Sequence, residues 1–224
     1  MRFKIAPLEK QTAFFRGTSR GSFVPVAWFL AIGLSALVAA FYLDPAVYGW
    51  VIDHKVRGLK DFMRTVSRYG DWPSHVAVGL LGALFALWKR RVDWARIFLA
   101  MILACAIAGL AGRVVKMAAG RARPSVKTEI VWKGPTLQSN YHAFPSGHTA
   151  ATTAFFGVLW FKRRRLALTL LPIPLLIAFS RIYLNAHYLS DVVGGAIVGT
   201  GSAWFVVTRS IFAATEKQSL IRPR

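Results

Sequence analysis

Acidic residues are scarce in this chain: nine Asp and Glu stand among 224 residues, against 29 Lys and Arg, for a formal net charge of +20. Charge of either sign is thin as well, at 17% of residues, where a soluble globular domain carries about 25%. With 55% of the chain hydrophobic and a mean hydropathy of +0.44, there is too little polar surface to cover a water-facing fold. A soluble enzyme and a disordered tail are both disfavoured. Cysteine is nearly absent. Cys105 is alone, within the apolar run from Leu103 to Ile107, so an intrachain disulfide and a disulfide scaffold are excluded and the residue reads as packing. Internal repeats, low-complexity tracts and linkers are also missing, so residues 1–224 read as one domain.

What the chain has is long apolar runs. A helix needs about 20 apolar residues to cross the hydrocarbon core of a bilayer, with a range of roughly 17–25. Runs of about that kind fall near 24–43, 74–88, 97–115, 146–161, 166–184 and 192–212. The first is too long for the apolar stretch of a signal peptide and reads as an uncleaved span. The fifth carries Pro172 and Pro174, where a kink is expected. In the sixth, Gly194, Gly195, Gly199 and Gly201 would allow close helix contacts. Between the first two runs, apolar residues from Val47 to Val66 recur at steps of three and four, with Lys55, Arg57, Lys60, Arg64 and Arg68 at other positions. That is an amphipathic helix too charged to span, and it reads as interfacial, or else as an ordinary helix packed on the loops. The fold expected is all-α: a polytopic six-transmembrane-helix bundle with an amphipathic interfacial helix between the first and second spans.

In a soluble protein the basic excess would point to nucleic acid. Here the basic residues cluster between apolar runs, as loops held at an anionic leaflet do, so the partner expected is the bilayer and not nucleic acid. Six spans put both termini on one side. That side collects Arg2, Lys4, Lys10, Arg16 and Arg20, then Lys89–Arg91 and Arg96, Lys162–Arg165, and Arg209, Lys217, Arg222 and Arg224. The positive-inside rule makes it cytoplasmic. The remaining loops then face a periplasm or its equivalent, and a bacterial inner membrane is the expected location.

Three short motifs lie in those outer loops and span ends. Lys116 is followed after six residues by Arg123-Pro124; Pro145-Ser146-Gly147-His148 comes next; Ser180-Arg181 is followed by His187 and, four residues on, Asp191. The first two are joined by a polar loop and the last two are separated by two spans, so all three reach the same face. Lys116, Arg123 and Arg181 supply three cations, two of them guanidinium forks suited to phosphate oxygens. Ser146 and Gly147 open a helix whose free N–H groups make an anion site. His187 and Asp191, four apart, would share one helical face, and a carboxylate on one ring nitrogen fixes the tautomer and frees the other nitrogen.

In this order and spacing the motifs resemble those of the type 2 phosphatidic acid phosphatase and haloperoxidase superfamily, and no signature position departs from the pattern. The resemblance implies that His187 is the nucleophile that forms a phosphohistidine, that Asp191 orients it, and that His148 protonates the leaving oxygen and then activates water. Lys116, Arg123, Ser146, Gly147 and Arg181 would bind the phosphate. No metal and no cofactor are expected: a two-metal site needs clustered carboxylates and histidines, whereas Asp44, Asp53, Asp61, Asp71, Glu129 and Asp191 are scattered along the outer segments.

Each residue has a plainer reading. Lys116 and Arg113 could snorkel from a helix end. His54, His75 and His142 read as structural hydrogen bonders, and Arg121 stands between substrate contact and solvated charge. The function expected is a membrane-embedded lipid phosphate phosphatase acting on a phosphomonoester or diphosphate at the outer face. The alternatives are a lipid phosphotransferase using the same histidine, a vanadate haloperoxidase (which would be soluble), and an anionic-lipid transporter or flippase. Candidate substrates are undecaprenyl diphosphate, lipid A phosphate, phosphatidylglycerol phosphate and phosphatidic acid. The short link between the first two motifs resembles that of compact lipid A and undecaprenyl diphosphate phosphatases. The loop 127–142, with Trp132, Lys133 and Tyr141, and the segment 44–70, with Trp50 and nearby Trp72, are where selectivity and headgroup guidance are expected.

Overall fold

The computed structural model describes residues 23–126 and 128–209. The basic residues expected at the cytoplasmic termini before residue 23 and after Arg209, and Lys127, lie outside the described residues. The chain divides into two compact units, one ending at Ala36 and the other beginning at Leu37; everything that positions the site is in the second. Eight α-helices are described: α1 (Phe23–Asp53), α2 (Arg57–Tyr69), α3 (Trp72–Trp88), α4 (Val92–Ala119), α5 (Gly147–Lys162), α6 (Arg164–Leu170), α7 (Pro172–Tyr183) and α8 (Leu189–Arg209), with one 3-10 turn at Ser139–Tyr141. Among the described residues there is no strand, only isolated bridges from Arg121 to Trp132 and to His142.

Among the described residues, four stretches are long and apolar enough to cross a membrane: Val26–Asp53, Val92–Ala119, Arg164–Tyr183 and Leu189–Arg209. The stretches expected near 74–88 and 146–161 form helices of 17 and 16 residues, α3 and α5. Leucines and aromatics such as Leu81, Trp88 and Leu110 stay more than 60% exposed, as suits a lipid solvent and not water.

The expected end of the first run at residue 43 is not an end. Helix α1 continues through Asp44 and Pro45 to Asp53, because Asp44 turns into the protein and is bonded there. Only Arg57–Tyr69 forms the separate amphipathic helix; it buries Met63 and Ser67, one turn apart. Helix α2 packs on α7, where the Tyr183 hydroxyl accepts from Val56 N–H at 2.8 Å and donates to the His54 carbonyl at 3.1 Å. The fifth run breaks where its prolines stand: α6 stops at Leu170 and Pro172 opens α7, since proline cannot continue the hydrogen-bond ladder but suits a first turn.

Helix α5 is central and packs against α3, α4, α7 and α8. The core is rich in small residues: Ala100, Ala104 and Ala108 from α4, Ala150 and Ala154 from α5, and Ala203 from α8, all fully buried. Without a hydrophobic drive inside lipid, helices associate through such close contact. A Cβ on Gly195 would lie 2.6 Å from the Ser146 carbonyl oxygen, and one on Gly199 would lie 2.5 Å from that of Ala150. Gly194 packs on the Phe144 ring, whereas Gly201 meets nothing within 4 Å. Three of the four glycines thus serve close contact.

Candidate active site

The site forms where the last turns of α4 and α7 meet the first turns of α5 and α8. Helix α4 is stopped by Gly120, at φ 57° and ψ 47°, whose N–H donates to the Lys116 carbonyl at 3.1 Å. Glycine is required twice over: the conformation is left-handed, and a Cβ would sit 1.8 Å from the Gly134 carbonyl oxygen. Past that turn the chain is tied to the following loop. Ala122 N–H donates to Val131, Arg123 N–H to Asn140 and Ala143 N–H to Arg121, at 2.9–3.0 Å.

Lys116, in the last turn of α4, donates to the carbonyls of His142, at 3.2 Å, and Pro145. That holds the loop before α5 against α4. Gly147 leaves the approach to Lys116 open, since even a Cβ there would stay 3.6 Å from Cε. Ser146 precedes α5 fully buried; its N–H donates to the Asp191 carbonyl at 2.8 Å and its Oγ accepts from Thr149 at 3.0 Å. The second and third motifs are therefore in direct contact.

His148 follows in the first turn of α5, with Nε2 3.8 Å from Asp71 Oδ1. Asp71 caps α3 by accepting Trp72 N–H at 2.8 Å. Arg181 donates to Ser67 Oγ, so α2 walls the site. Arg123 and Arg181 lie within electrostatic reach of Lys116, and both Lys116 and Arg181 act on His148 and His187. Burial presses the Arg123 guanidinium below the ordinary arginine range, and Asp191 partly offsets this. Three cations thus crowd one helix N-terminus.

His187 does not share a helical face with Asp191, as their spacing suggested. It precedes α8, in a turn where its N–H donates to the Arg181 carbonyl at 3.2 Å. Asp191 reaches back because it is the third residue of α8 and accepts Tyr188 N–H at 2.9 Å, half of a capping box. Asp191 Oδ2 comes to 3.5 Å from His187 Nδ1, and that nitrogen has no hydrogen-bond partner. Burial pushes the His187 imidazole down to about 4 from its usual 6.5; Asp191 opposes the shift, while Lys116 and Arg181 add to it. A pKa lowered to about 4 favours the neutral ring at neutral pH.

Every expected site residue is brought to this place: Lys116, Arg123, Ser146, Gly147, His148, Arg181, His187 and Asp191. Three other expectations concern histidines. His54 Nδ1 lies 2.8 Å from the Trp50 carbonyl, His75 Nδ1 2.8 Å from that of Asp71 and His142 Nε2 3.0 Å from that of Thr136, so each makes a local structural hydrogen bond. Arg121 fits neither of its readings. Its side chain is 6% exposed and bonded to Asp44 and Asp191. Asp44 and Asp71, counted in the sequence only among the scattered acids, and Ser67 have roles that sequence reasoning did not assign. Only Asp44 carried a signal there, as a carboxylate inside an otherwise apolar helix. The outer acids are scattered in sequence, yet Asp44 and Asp191 converge on one arginine. Among the described residues no three His, Cys, Asp or Glu side chains cluster as metal ligands would.

Residues 93–213, which hold all three motifs and α4 to α8 except Val92, match the sequence pattern of the PAP2 superfamily. The chain belongs to the PAP2 superfamily. It is an integral membrane protein of that family with an all-helical fold. Among its relatives, a lipid A 1-phosphatase of Rhizobium johnstonii is 36% identical over 111 residues, covering 47% of this chain and 43% of the relative. A decaprenylphosphoryl-5-phosphoribose phosphatase of Mycobacterium tuberculosis is 34% identical over 146 residues, covering 63% and 75%. The match spans less than half the length of the lipid A 1-phosphatases. The fold is similar to that of the transmembrane PAP2-type phosphatidylglycerolphosphate phosphatase from Bacillus subtilis, with a TM-score of 0.64, 20% identity and coverage of 88% of this chain and 98% of that one. It is also similar to Aquifex aeolicus LpxE, with a TM-score of 0.58, 21% identity and coverage of 74% and 95%.

Proposed function

We propose that this protein is a metal-independent membrane lipid phosphate phosphatase working through a phosphohistidine on His187. The observation that carries the reading is the gathering of Lys116, Arg123 and Arg181 around the N-terminus of α5, beside a neutral buried histidine. These cations repel one another, and a phosphate with up to two negative charges relieves that repulsion. They also match the charge that spreads over the equatorial oxygens in the transition state, the role a metal plays elsewhere.

In the first step the lone pair on His187 Nε2 forms a bond to phosphorus as the bond from phosphorus to the leaving oxygen breaks. His148 gives that oxygen a proton. In the second step water attacks phosphorus, His148 takes the water's proton, the P–N bond breaks and inorganic phosphate leaves. Asp191 keeps the His187 proton on Nδ1, so that Nε2 is free. The relatives' names, lipid A 1-phosphatase and decaprenylphosphoryl-5-phosphoribose phosphatase, support a lipid phosphomonoester as substrate.

The topology that suits this reading has six spans, with α6 and α7 together making the fifth and α2 lying at the interface. Helices α3 and α5 are about 25 Å long, short for a hydrocarbon core of about 30 Å but workable with local thinning. The basic clusters at Lys89–Arg91 and Lys162–Arg165 then face the cytoplasm and the site faces the periplasm of a bacterial inner membrane.

The test is phosphate release by detergent-purified protein in EDTA, against lipid A, undecaprenyl diphosphate, phosphatidylglycerol phosphate and phosphatidic acid, with His187→Ala beside it. Release that survives EDTA and vanishes in the variant is expected. Label passing from substrate to an acceptor lipid instead of water would make the protein a phosphotransferase. Activity retained by the variant would remove His187 as the nucleophile.

A further inference from the structure

Arg121 sits two residues before the phosphate-binding Arg123 but faces a different surrounding. Its Nη1 donates to Asp191 Oδ1 and to Ser190 Oγ, both at 2.6 Å, and its Nη2 donates to Asp44 Oδ2 at 2.7 Å. Asp44 also accepts the Ser190 N–H at 2.9 Å and the Ser190 hydroxyl at 2.5 Å. All three charged side chains are at most 7% exposed. The guanidinium is boxed by the rings of Tyr188, Phe41 and Trp132, whose centroids lie 4.2, 5.1 and 5.1 Å from its central carbon. An ion network this deep is costly to desolvate and is seldom the most stable filling of a core, which argues that it serves geometry.

The geometry concerns Asp191. One of its oxygens is bonded to Arg121 and the other to Tyr188 N–H, so the plane of the carboxylate is set before it meets His187. We propose that Arg121, held by Asp44, is a positioning residue that clamps Asp191 so that its second oxygen faces His187 Nδ1. This rests on the phosphatase reading above and adds a part to the same site. Both terminal nitrogens of Arg121 are taken by protein acceptors inside an aromatic box, and only its buried Nε lacks a partner, which places it to hold Asp191 and not a substrate. Asp44 carries the device to α1, so three segments far apart in sequence, α1, the loop after α4 and α8, converge to orient one imidazole.

The clamp also sets charge. The groups facing His187 are Lys116 from α4, Arg181 from α7 and Asp191 from α8. Asp44, Tyr48, Asn185 and Tyr188 line the small cavity beside it. Removing Arg121's charge leaves Asp191 acting more strongly on His187 and favours the imidazolium. Removing Asp44's charge leaves Arg121 drawing more on Asp191 and disfavours it. The two substitutions should move the acid limb in opposite directions, which loss of packing would not do.

The experiment compares Arg121→Lys, Arg121→Gln and Asp44→Asn of the full chain in detergent. It measures kcat, KM and the kcat/KM pH profile on the preferred lipid, together with titration of the His187 imidazole by NMR of 15N-histidine-labelled protein. Expected are kcat losses of about tenfold for the lysine and about a hundredfold for the glutamine variant, by analogy with groups that orient a metal's ligands, with KM within twofold. The His187 titration should move up in Arg121→Gln and down in Asp44→Asn. A folded Arg121→Lys with wild-type kcat, a rise in KM at unchanged kcat, or His187 titrating alike in wild type and Asp44→Asn would each overturn the proposal. Should Arg121→Gln fail to fold, the other two variants decide by the same readings. A wild type that releases no phosphate would count against the phosphatase reading alone, because the His187 titration reads the clamp without turnover.

Discussion

Arg121 and Arg123 are the same residue type two positions apart in one motif, and the fold gives them opposite surroundings. Arg121 is sealed among three aromatic rings and bonded to two carboxylates. Arg123 is half-buried among like charges, with Lys116 close enough to repel it. Arg121 has protein acceptors at both terminal nitrogens, whereas Arg123, on the reading proposed above, is left for an anion. The role of a basic residue here follows from which carboxylates the tertiary structure brings to it, and its type or place in a motif is a poor guide.

The sharpest way to break that contrast is to truncate each arginine in turn. Arg123→Ala should lower kcat/KM by about 100- to 1,000-fold, as loss of one charge-stabilising donor does, and should leave thermal stability within about 1 kcal/mol. Arg121→Ala should cost about 3–5 kcal/mol of stability, because it strands two buried carboxylates. Thermal unfolding in detergent beside lipid hydrolysis reads both. If both variants unfold alike, the contrast is lost.

A smaller effect comes from acid. His187 stays neutral down to about pH 4 because it is buried, so phosphohistidine formation should hold from neutral pH to well below 6.5 and fail only as pH nears 4. The unfolded chain takes up a proton through that same window while the folded one does not, so stability falls as pH drops from about 6.5 toward 4. His187→Asn should flatten that slope in a plot of midpoint temperature against pH. An unchanged slope would mean that the imidazole is not held neutral by the fold.

The smallest effect concerns α2, which lends Ser67 to Arg181 and leaves Leu59 and Phe62 exposed. Replacing those two by serine should raise KM for lipid a few-fold by weakening interfacial seating, without raising KM for a soluble phosphate ester. Equal changes on both would place α2 in the catalytic wall and not at the headgroup.

Much of this molecule was legible in its residues. Apolar runs and basic clusters marked a helical membrane protein, Pro172 marked the break between α6 and α7, and the three motifs named the residues that gather at the site. These features depend on neighbours within about a helical turn or on fixed spacings, which a sequence displays directly. The end of α1 was misplaced because Asp44 looks like the close of an apolar run until its buried partners are known. The spacing of His187 and Asp191 suggested one helical face, but their approach comes from a capping turn. The pairing of Asp44 with Arg121 across 77 positions, the box of Phe41, Trp132 and Tyr188, and the contact of Ser67 with Arg181 across 114 positions were decided only by the tertiary structure. A charge or a ring carries no record in its own sequence neighbourhood of which distant group will desolvate it, and that distant group decides whether it clamps, binds or reacts.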